Sequence, residues 1–253
     1  MIAAASNDVA VETHGHVAVV ELRRPPHNFF DIALITARAD AFEAIDREAD
    51  LRCIVLAAEG SAFCAGADFS RIADKPADLY ACAARLFATQ KPIIGAIQGP
   101  AVGGGLGLAL VPDFRIVAPE ARFAANFVKL GLHPGFALTC TLPRLIGMQK
   151  AALLLYTGRR INAEEALNWG LADQLAPAAG LRDTAMSLAS EIAEAAPLAV
   201  TATRATLRAG LGEAFKAQTA HEASEQARLS VTEDFREGLR AVAERRPGRF
   251  VGA

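Results

Sequence analysis

Two glycine-rich stretches hold the residues best placed to do chemistry: Phe63-Cys64-Ala65-Gly66-Ala67-Asp68-Phe69, and Gly99-Pro100-Ala101-Val102-Gly103-Gly104-Gly105. The second lies inside a run from Pro92 to Pro112 that carries no charged residue. A triple glycine between a strand and a helix lets a ligand approach bare backbone, and the free N–H groups of the following first turn point at it. Such a place suits a negatively charged oxygen. It is not a nucleotide-phosphate loop of either standard kind, because no register supplies the dinucleotide glycine spacing and no Gly-Lys-Ser/Thr follows. The alternative is that the glycines serve only close helix packing.

Four further groups invite a chemical reading. His133, within Gly131-Leu132-His133-Pro134-Gly135, has the intrinsic pKa of a general base; the competing reading is a histidine packed or exposed in a turn. Asp68 follows Ala67 directly and is either an acid/base group or the cap of the next turn. Cys64 has no base partner identifiable in the sequence, so it is a poor nucleophile candidate. His14-Gly15-His16 has the look of a metal pair but separates two alternating apolar runs, where a hairpin turn belongs. No metal-ligand set is read from it.

The elements that position these groups follow a repeated β-then-α order. Val9 to Glu12 and Val17 to Leu22 read as a hairpin, and Asp31 opens a helix carrying Ile32, Ile35, Ala39, Phe42 and Ile45 at helical spacing. Strands are expected at Cys53 to Ala57, Ile93 to Ile97 and Phe114 to Val117, with a helix from about Asp78 to Thr89 and another over Leu106 to Val111. Gly99-Pro100 breaks the uncharged run, so it is a buried strand and helix rather than a membrane span. This pattern argues for a parallel sheet with right-handed winding. Beyond Gly135 no more strands are expected. Phe136 to Ile146 and Gln149 to Tyr156 look helical, Asn162-x-x-Glu165 reads as a capping box, and Pro197, Glu213 to Arg228 and Thr232 mark three helices of the tail. That tail is apolar enough to pack on another subunit or back on its own core.

At 253 residues the chain is long enough for a sizeable core, and its formal charge of −2, with no long basic block, argues against nucleic acid as a partner. The 4 cysteines show no Cys-x-x-Cys spacing, and the first residues do not resemble a secretory signal; a reducing, cytoplasmic setting without membrane attachment is expected.

In order and spacing, several segments together resemble the crotonase superfamily, the enoyl-CoA hydratase/isomerase family, over nearly the whole length. They are Arg24-Pro25-Pro26-His27-Asn28, Phe63 to Asp68, Gln98 to Gly105, Gly131-x-x-Pro134-Gly135, Leu142 to Gly147, Thr157-Gly158-Arg159 and Glu244-Arg245-Arg246-Pro247-x-Arg249-Phe250. The resemblance implies an α/β fold, a ββα spiral core over residues 1–196, and a C-terminal helical oligomerisation region over 197–253 that builds a homotrimer or a dimer of trimers. It implies an acyl-CoA thioester as partner, with coenzyme A as part of the substrate and no covalently bound cofactor. The thioester oxygen is then expected between the N–H groups of Ala67 and Gly104. By the same resemblance Ala65, Asp68, Phe69, Gly103, Phe127, Pro134 and Gly135 line the substrate, Pro26, His27, Asn28 and Arg71 lie near the CoA adenine and phosphates, and Phe250 stacks near the adenine from a neighbouring subunit.

The sequence departs from that pattern where it matters for mechanism. The two glutamates with which the family's hydratases activate water fall at Gly107 and Phe127, and neither can move a proton. General acid/base catalysis supplies about 10²–10⁴ in rate, which an oxyanion site alone does not recover. The sequence therefore supports an acyl-CoA enzyme working through an enolate, with hydration itself in doubt and His133 and Asp68 the candidate substitutes. The alternative is a catalytically silent CoA-ester-binding or scaffolding protein.

Overall fold

A computed structural model describes residues 6–67 and 76–253. Strands β1 (Val9–His14) and β2 (Val17–Leu22) form an antiparallel hairpin, with Gly15 at φ 58 in the turn, as the His14-Gly15-His16 spacing predicts. Helix α1 (Ile32–Arg47) starts at Asp31, whose carboxylate accepts the Leu34 N–H at 2.9 Å and so supplies one of the partners a helix start lacks. Then follow β3 (Cys53–Ala58), α2 (Pro76–Phe87), β4 (Ile93–Ile97), β5 (Ala101–Val102), α3 (Gly104–Ala109), β6 (Phe114–Val117) and β7 (Arg122–Ala124). A 3-10 turn at Asn126–Leu130 leads to α4 (Leu138–Thr157), β8 (Arg160–Asn162), α5 (Ala163–Trp169), β9 (Gln174–Leu175) and α6 (Leu181–Glu194). Three helices end the chain: α7 (Pro197–Leu207), α8 (Leu211–Leu229) and α9 (Glu233–Ala243).

The main sheet has the order β1-β2-β3-β4-β6-β9, parallel except for β1; β5, β7 and β8 form a second, small sheet. The central strands β2, β3 and β4 of the main sheet are buried at every position because both faces are covered. Val17, Val19, Cys53, Val55, Ile94 and Ala96 face α6, while Ala18, Val20, Leu22, Ile54 and Leu56 face the larger core that contains α1 and α2. The fit against α6 is close because that helix presents Ala185, Ala189 and Ala193 at four-residue spacing.

Three expectations need correction. Strands do not end before Gly135: β8 and β9 pair with β7 and β6, and at three and two residues they are too short to leave a periodic signature. Helix α3 begins on Gly104 rather than at Leu106, because packing overrides the poor helix propensity of glycine. Phe136 stands outside α4, which starts at Leu138; the two helices expected here do form, as stretches of α4 divided at the non-helical Gly147, φ 76 and ψ 160. The capping box at Asn162 and Glu165 forms as read, with bonds of 2.8 and 3.0 Å, and Pro197 occupies the first turn of α7.

The C-terminal helices pack on their own core: α8 lies on α2 and α4, and α9 on the 3-10 turn. The last contact is so close that a Cβ added to Gly238 would stand 2.5 Å from the Leu130 carbonyl.

Candidate active site

The two glycine-rich stretches meet side by side. Cys64 bridges Ala101 in parallel, with Cys64 N–H donating to the Pro100 carbonyl at 3.1 Å and Val102 N–H to the Cys64 carbonyl at 3.0 Å. Gly105 sits over that carbonyl; a Cβ there would fall 2.0 Å from the Cys64 oxygen, which only glycine avoids. Gly66, at φ 102, leaves its own missing Cβ 3.0 Å from the Val102 carbonyl and 3.7 Å from the Gly104 nitrogen.

These contacts set where the N–H groups of Ala67 and Gly104 point. Phe30 bridges Ala67 in parallel and donates its N–H to the Gly66 carbonyl at 2.9 Å. In such a ladder the bridged residue's own N–H faces the other way, away from Phe30. Gly104 is the first residue of α3, so its N–H has no carbonyl one turn back to accept it. Among the described residues neither N–H has a partner within the protein. Helix α3 has only six residues, so it offers unpaired N–H groups rather than a substantial dipole.

Both residues line one small cavity of about 130 Å³, together with Phe30, Phe127, Phe136 and Tyr80. Ala65 and Gly103, expected at the substrate, also line it. Its remaining walls are mostly apolar, and the polar side chains facing it are Tyr80, Asn126 and Gln226. Tyr80 O–H donates to Gln226 Oε1 at 2.9 Å, and burial and then the nearby Glu222 charge push the phenol well above its ordinary range, so it stays protonated. Among the described lining residues none is a carboxylate or an imidazole.

The space that residue 107 could occupy is already filled. A Cβ on Gly107 would lie 2.6 Å from Cδ1 of Phe136, whose ring is buried against Phe30. Phe127 closes a second wall, 8% exposed.

The other sequence-predicted residues divide clearly. His133 does not reach the cavity: Nδ1–H donates to the Pro134 carbonyl at 2.7 Å and the ring stands edge-on to His221. Its backbone carbonyl matters more, accepting Gln226 Nε2–H at 3.0 Å. Pro134 and Gly135 are buried in the same loop, and Gly135 leaves room for Tyr80, whose oxygen would be 2.0 Å from a Cβ at that position. Asn28 is not a ligand-facing side chain: it is buried at φ 50, its amide donates to the Glu59 and Ala62 carbonyls, and its Oδ1 accepts Arg24 N–H. The Pro26 and His27 carbonyls accept from Ala62 and Ala65, tying this segment to the first glycine stretch. Phe250 lies on a tail held to α9, with Arg249 N–H on Glu237 and Val251 N–H on Asp234. Asp68, Phe69 and Arg71 lie outside the described residues.

Cys64 is buried with its thiol pushed up to about 11 by desolvation, so it has no thiolate character. Behind it lies the buried Arg38, whose guanidinium has no hydrogen-bond partner among the described residues and is lowered by burial to about 9. Asp113 is structural, accepting from Ile93 N–H, Arg204 and Arg208. The sequence reading missed Tyr80, Glu222 and Gln226, which come to the cavity region from α2 and α8.

A family model described as enoyl-CoA hydratase/isomerase matches residues 12–253. The chain is 34% identical over 259 residues to a carnitinyl-CoA dehydratase of Proteus mirabilis, covering 98% of this chain and 99% of that protein. It is 36% identical over 264 residues to an (E)-benzylidenesuccinyl-CoA hydratase of Thauera aromatica, covering 97% and 99%. A crystal structure of an enoyl-CoA hydratase/isomerase from Pseudoalteromonas atlantica superposes with a TM-score of 0.89 at 28% identity, over 97% of this chain and 100% of that one.

Proposed function

Because the chain belongs to the enoyl-CoA hydratase/isomerase family, within the crotonase superfamily, we propose that it transforms an acyl-CoA thioester whose carbonyl oxygen is received by the N–H groups of Ala67 and Gly104. The observation that carries this reading is the meeting of two glycine-rich stretches at one small apolar cavity, each contributing an N–H with no partner among the described residues. As the α carbon of the thioester gains an electron pair, negative charge develops on that oxygen as an enolate. Donors already fixed in a dry site stabilise it without reorganising, and loss of one such donor typically lowers the rate by about 10²–10³. Coenzyme A enters as part of the substrate.

Residues 107 and 127 supply no acid or base, so hydration by a pair of glutamates is not the reaction we assign. A dehydratase and a hydratase among the relatives suggest water addition or removal, which here needs a proton carrier other than those two positions. Isomerisation, thioester hydrolysis and decarboxylation use the same oxyanion site. Decarboxylation of a malonyl-type thioester, with its carboxylate on the α carbon, asks least of the side chains: the C–C bond pair enters the thioester as an enolate, CO2 leaves, and the α carbon takes a proton from water.

The test combines binding and turnover. Butanoyl-CoA should bind by calorimetry more tightly than free CoA, and Gly104→Val should lower that affinity at least about 100-fold, since a Cβ there meets Phe30 Cζ at 2.5 Å. Equal affinity in the variant contradicts the assignment. Product from enoyl-, malonyl-type or aryl-acyl-CoA then names the reaction.

A second reading, a silent CoA-ester-binding protein, is favoured by the lack of any carboxylate or imidazole among the described lining residues. Tight binding without product from any of these thioesters would establish it. For the assembly we propose a homotrimer or a dimer of trimers in the cytoplasm, supported by exposed apolar side chains such as Leu198 and Leu207 on α7 and Val242 on α9, 84%, 75% and 52% exposed. Light scattering checks it; a monomer would refute it.

A further inference from the structure

Helix α8 grips the loop that ends in Phe136 with two buried polar side chains, one turn apart on the same face. Glu222, 0% exposed, accepts the Ala137 N–H at 2.7 Å, the Thr139 N–H at 3.3 Å and the Thr139 hydroxyl at 2.6 Å. Gln226 donates to the His133 carbonyl at 3.0 Å and accepts from Tyr80 at 2.9 Å. Phe215, two turns earlier on the same helix, meets the Phe136 ring edge-on at 6.0 Å. Four-residue spacing places Glu222 and Gln226 on one face, and Phe215 and Thr219 complete the buried stripe.

Between the two anchors the backbone is in a conformation that L side chains rarely adopt. Phe136 and Ala137 have φ of 60 and 55, consecutive residues in the left-handed region with no glycine between them. Such geometry persists only where its surroundings over-determine it, and it recurs at ligand clamps and active sites. Here the surroundings are the Glu222 carboxylate on one side and Gln226 on the other. What the geometry achieves is the position of one ring: Phe136 lies against Gly107 at a separation that leaves no room for a Cβ, and it lines the cavity.

We propose that Glu222 and Gln226 are positioning residues that fix the length of acyl group the cavity accepts, by holding residues 133–139 so that Phe136 fills the space over Gly107. The inference rests on the reading of this cavity as an acyl-thioester site, and it makes the substrate class short-chain acyl-CoA. Longer chains are excluded by a ring held in place from α8, not by the sheet. A buried carboxylate that only capped α4 would stabilise the fold and leave chain-length preference alone.

The experiment is calorimetric binding of acetyl-, butanoyl- and octanoyl-CoA to the full chain. Wild type should prefer butanoyl- to octanoyl-CoA. Phe136→Ala should improve octanoyl-CoA relative to butanoyl-CoA at least tenfold, and Glu222→Ala and Gln226→Leu should shift the ratio in the same direction. Combined with Phe136→Ala, they should add little, since all three act on one ring. If Glu222→Ala fails to fold, Gln226→Leu and Thr139→Ala each release one anchor and must show the shift. An unchanged ratio in variants that still bind overturns the positioning role alone. A wild type that binds none of the three thioesters removes the acyl-site reading beneath it.

Discussion

The two sides of the cavity are built from different parts of the chain. One wall is main chain: Gly66, Ala67, Gly103 and Gly104, where side chains are missing or small and the Ala67 and Gly104 N–H groups have no partner among the described residues. The rest is largely ring: Phe30, Phe127 and Phe136, the last packed so closely that Gly107 has no room for a Cβ. The first can receive charge developing on an oxygen; the second can neither give nor take a proton. On the proposed reading, oxyanion stabilisation and acid/base chemistry are thus separable: the backbone wall offers N–H groups for the first, and the rings offer nothing for the second.

The largest effect that would test the comparison is on the backbone wall. Gly105→Ala places a methyl 2.0 Å from the Cys64 oxygen and 2.7 Å from its carbon, which no rotamer change relieves. A loss on the order of 4 kcal/mol is expected, measured as the urea midpoint. A neutral result would mean that the two glycine stretches are not in contact.

The ring wall is held by Glu222, and its effect depends on pH. Burial pushes that carboxyl up to about 7, above its unfolded range, so the folded state holds the proton more tightly than the unfolded one. The associated stability is complete below about pH 4.5 and is lost as pH rises through 7. Between pH 4.5 and 8 the wild type should therefore lose on the order of 3 kcal/mol that Glu222→Gln does not. Parallel curves for the two proteins would show that the carboxyl is not protonated in the fold.

A smaller effect tests the ring wall directly. Placing a carboxylate there with Gly107→Glu should destabilise by about 2 kcal/mol in the wild-type background, because its Cβ meets Phe136 at 2.6 Å, and should cost much less when added to Phe136→Ala. Equal loss in both would assign the crowding to another neighbour.

The difference between the walls also explains what could be read from the sequence. The backbone wall is written locally, in Cys64-Ala65-Gly66-Ala67 and Gly103-Gly104-Gly105, and turn or cap signals such as Asn162 with Glu165 are equally local. The ring wall is not: the Glu222 bond to Ala137 spans 85 residues and the Tyr80 bond to Gln226 spans 146, so nothing near either residue announces the pairing. Helix α6 escaped for another reason. Its buried face is largely alanine, Ala185, Ala189 and Ala193, whose weak hydrophobicity gives little periodic signal although it packs against a whole sheet face. His133 shows the reverse error, a residue type suited to catalysis whose ring points away while its carbonyl anchors the loop.

Because α8 folds onto α2 of its own polypeptide, the division at residue 197 separates sequence segments rather than working parts. A hybrid protein that exchanged the helical tail for that of a relative would have to import residues 133–139 with it. Otherwise it would pair one protein's grip with another's loop, and its choice of ligand would belong to neither parent.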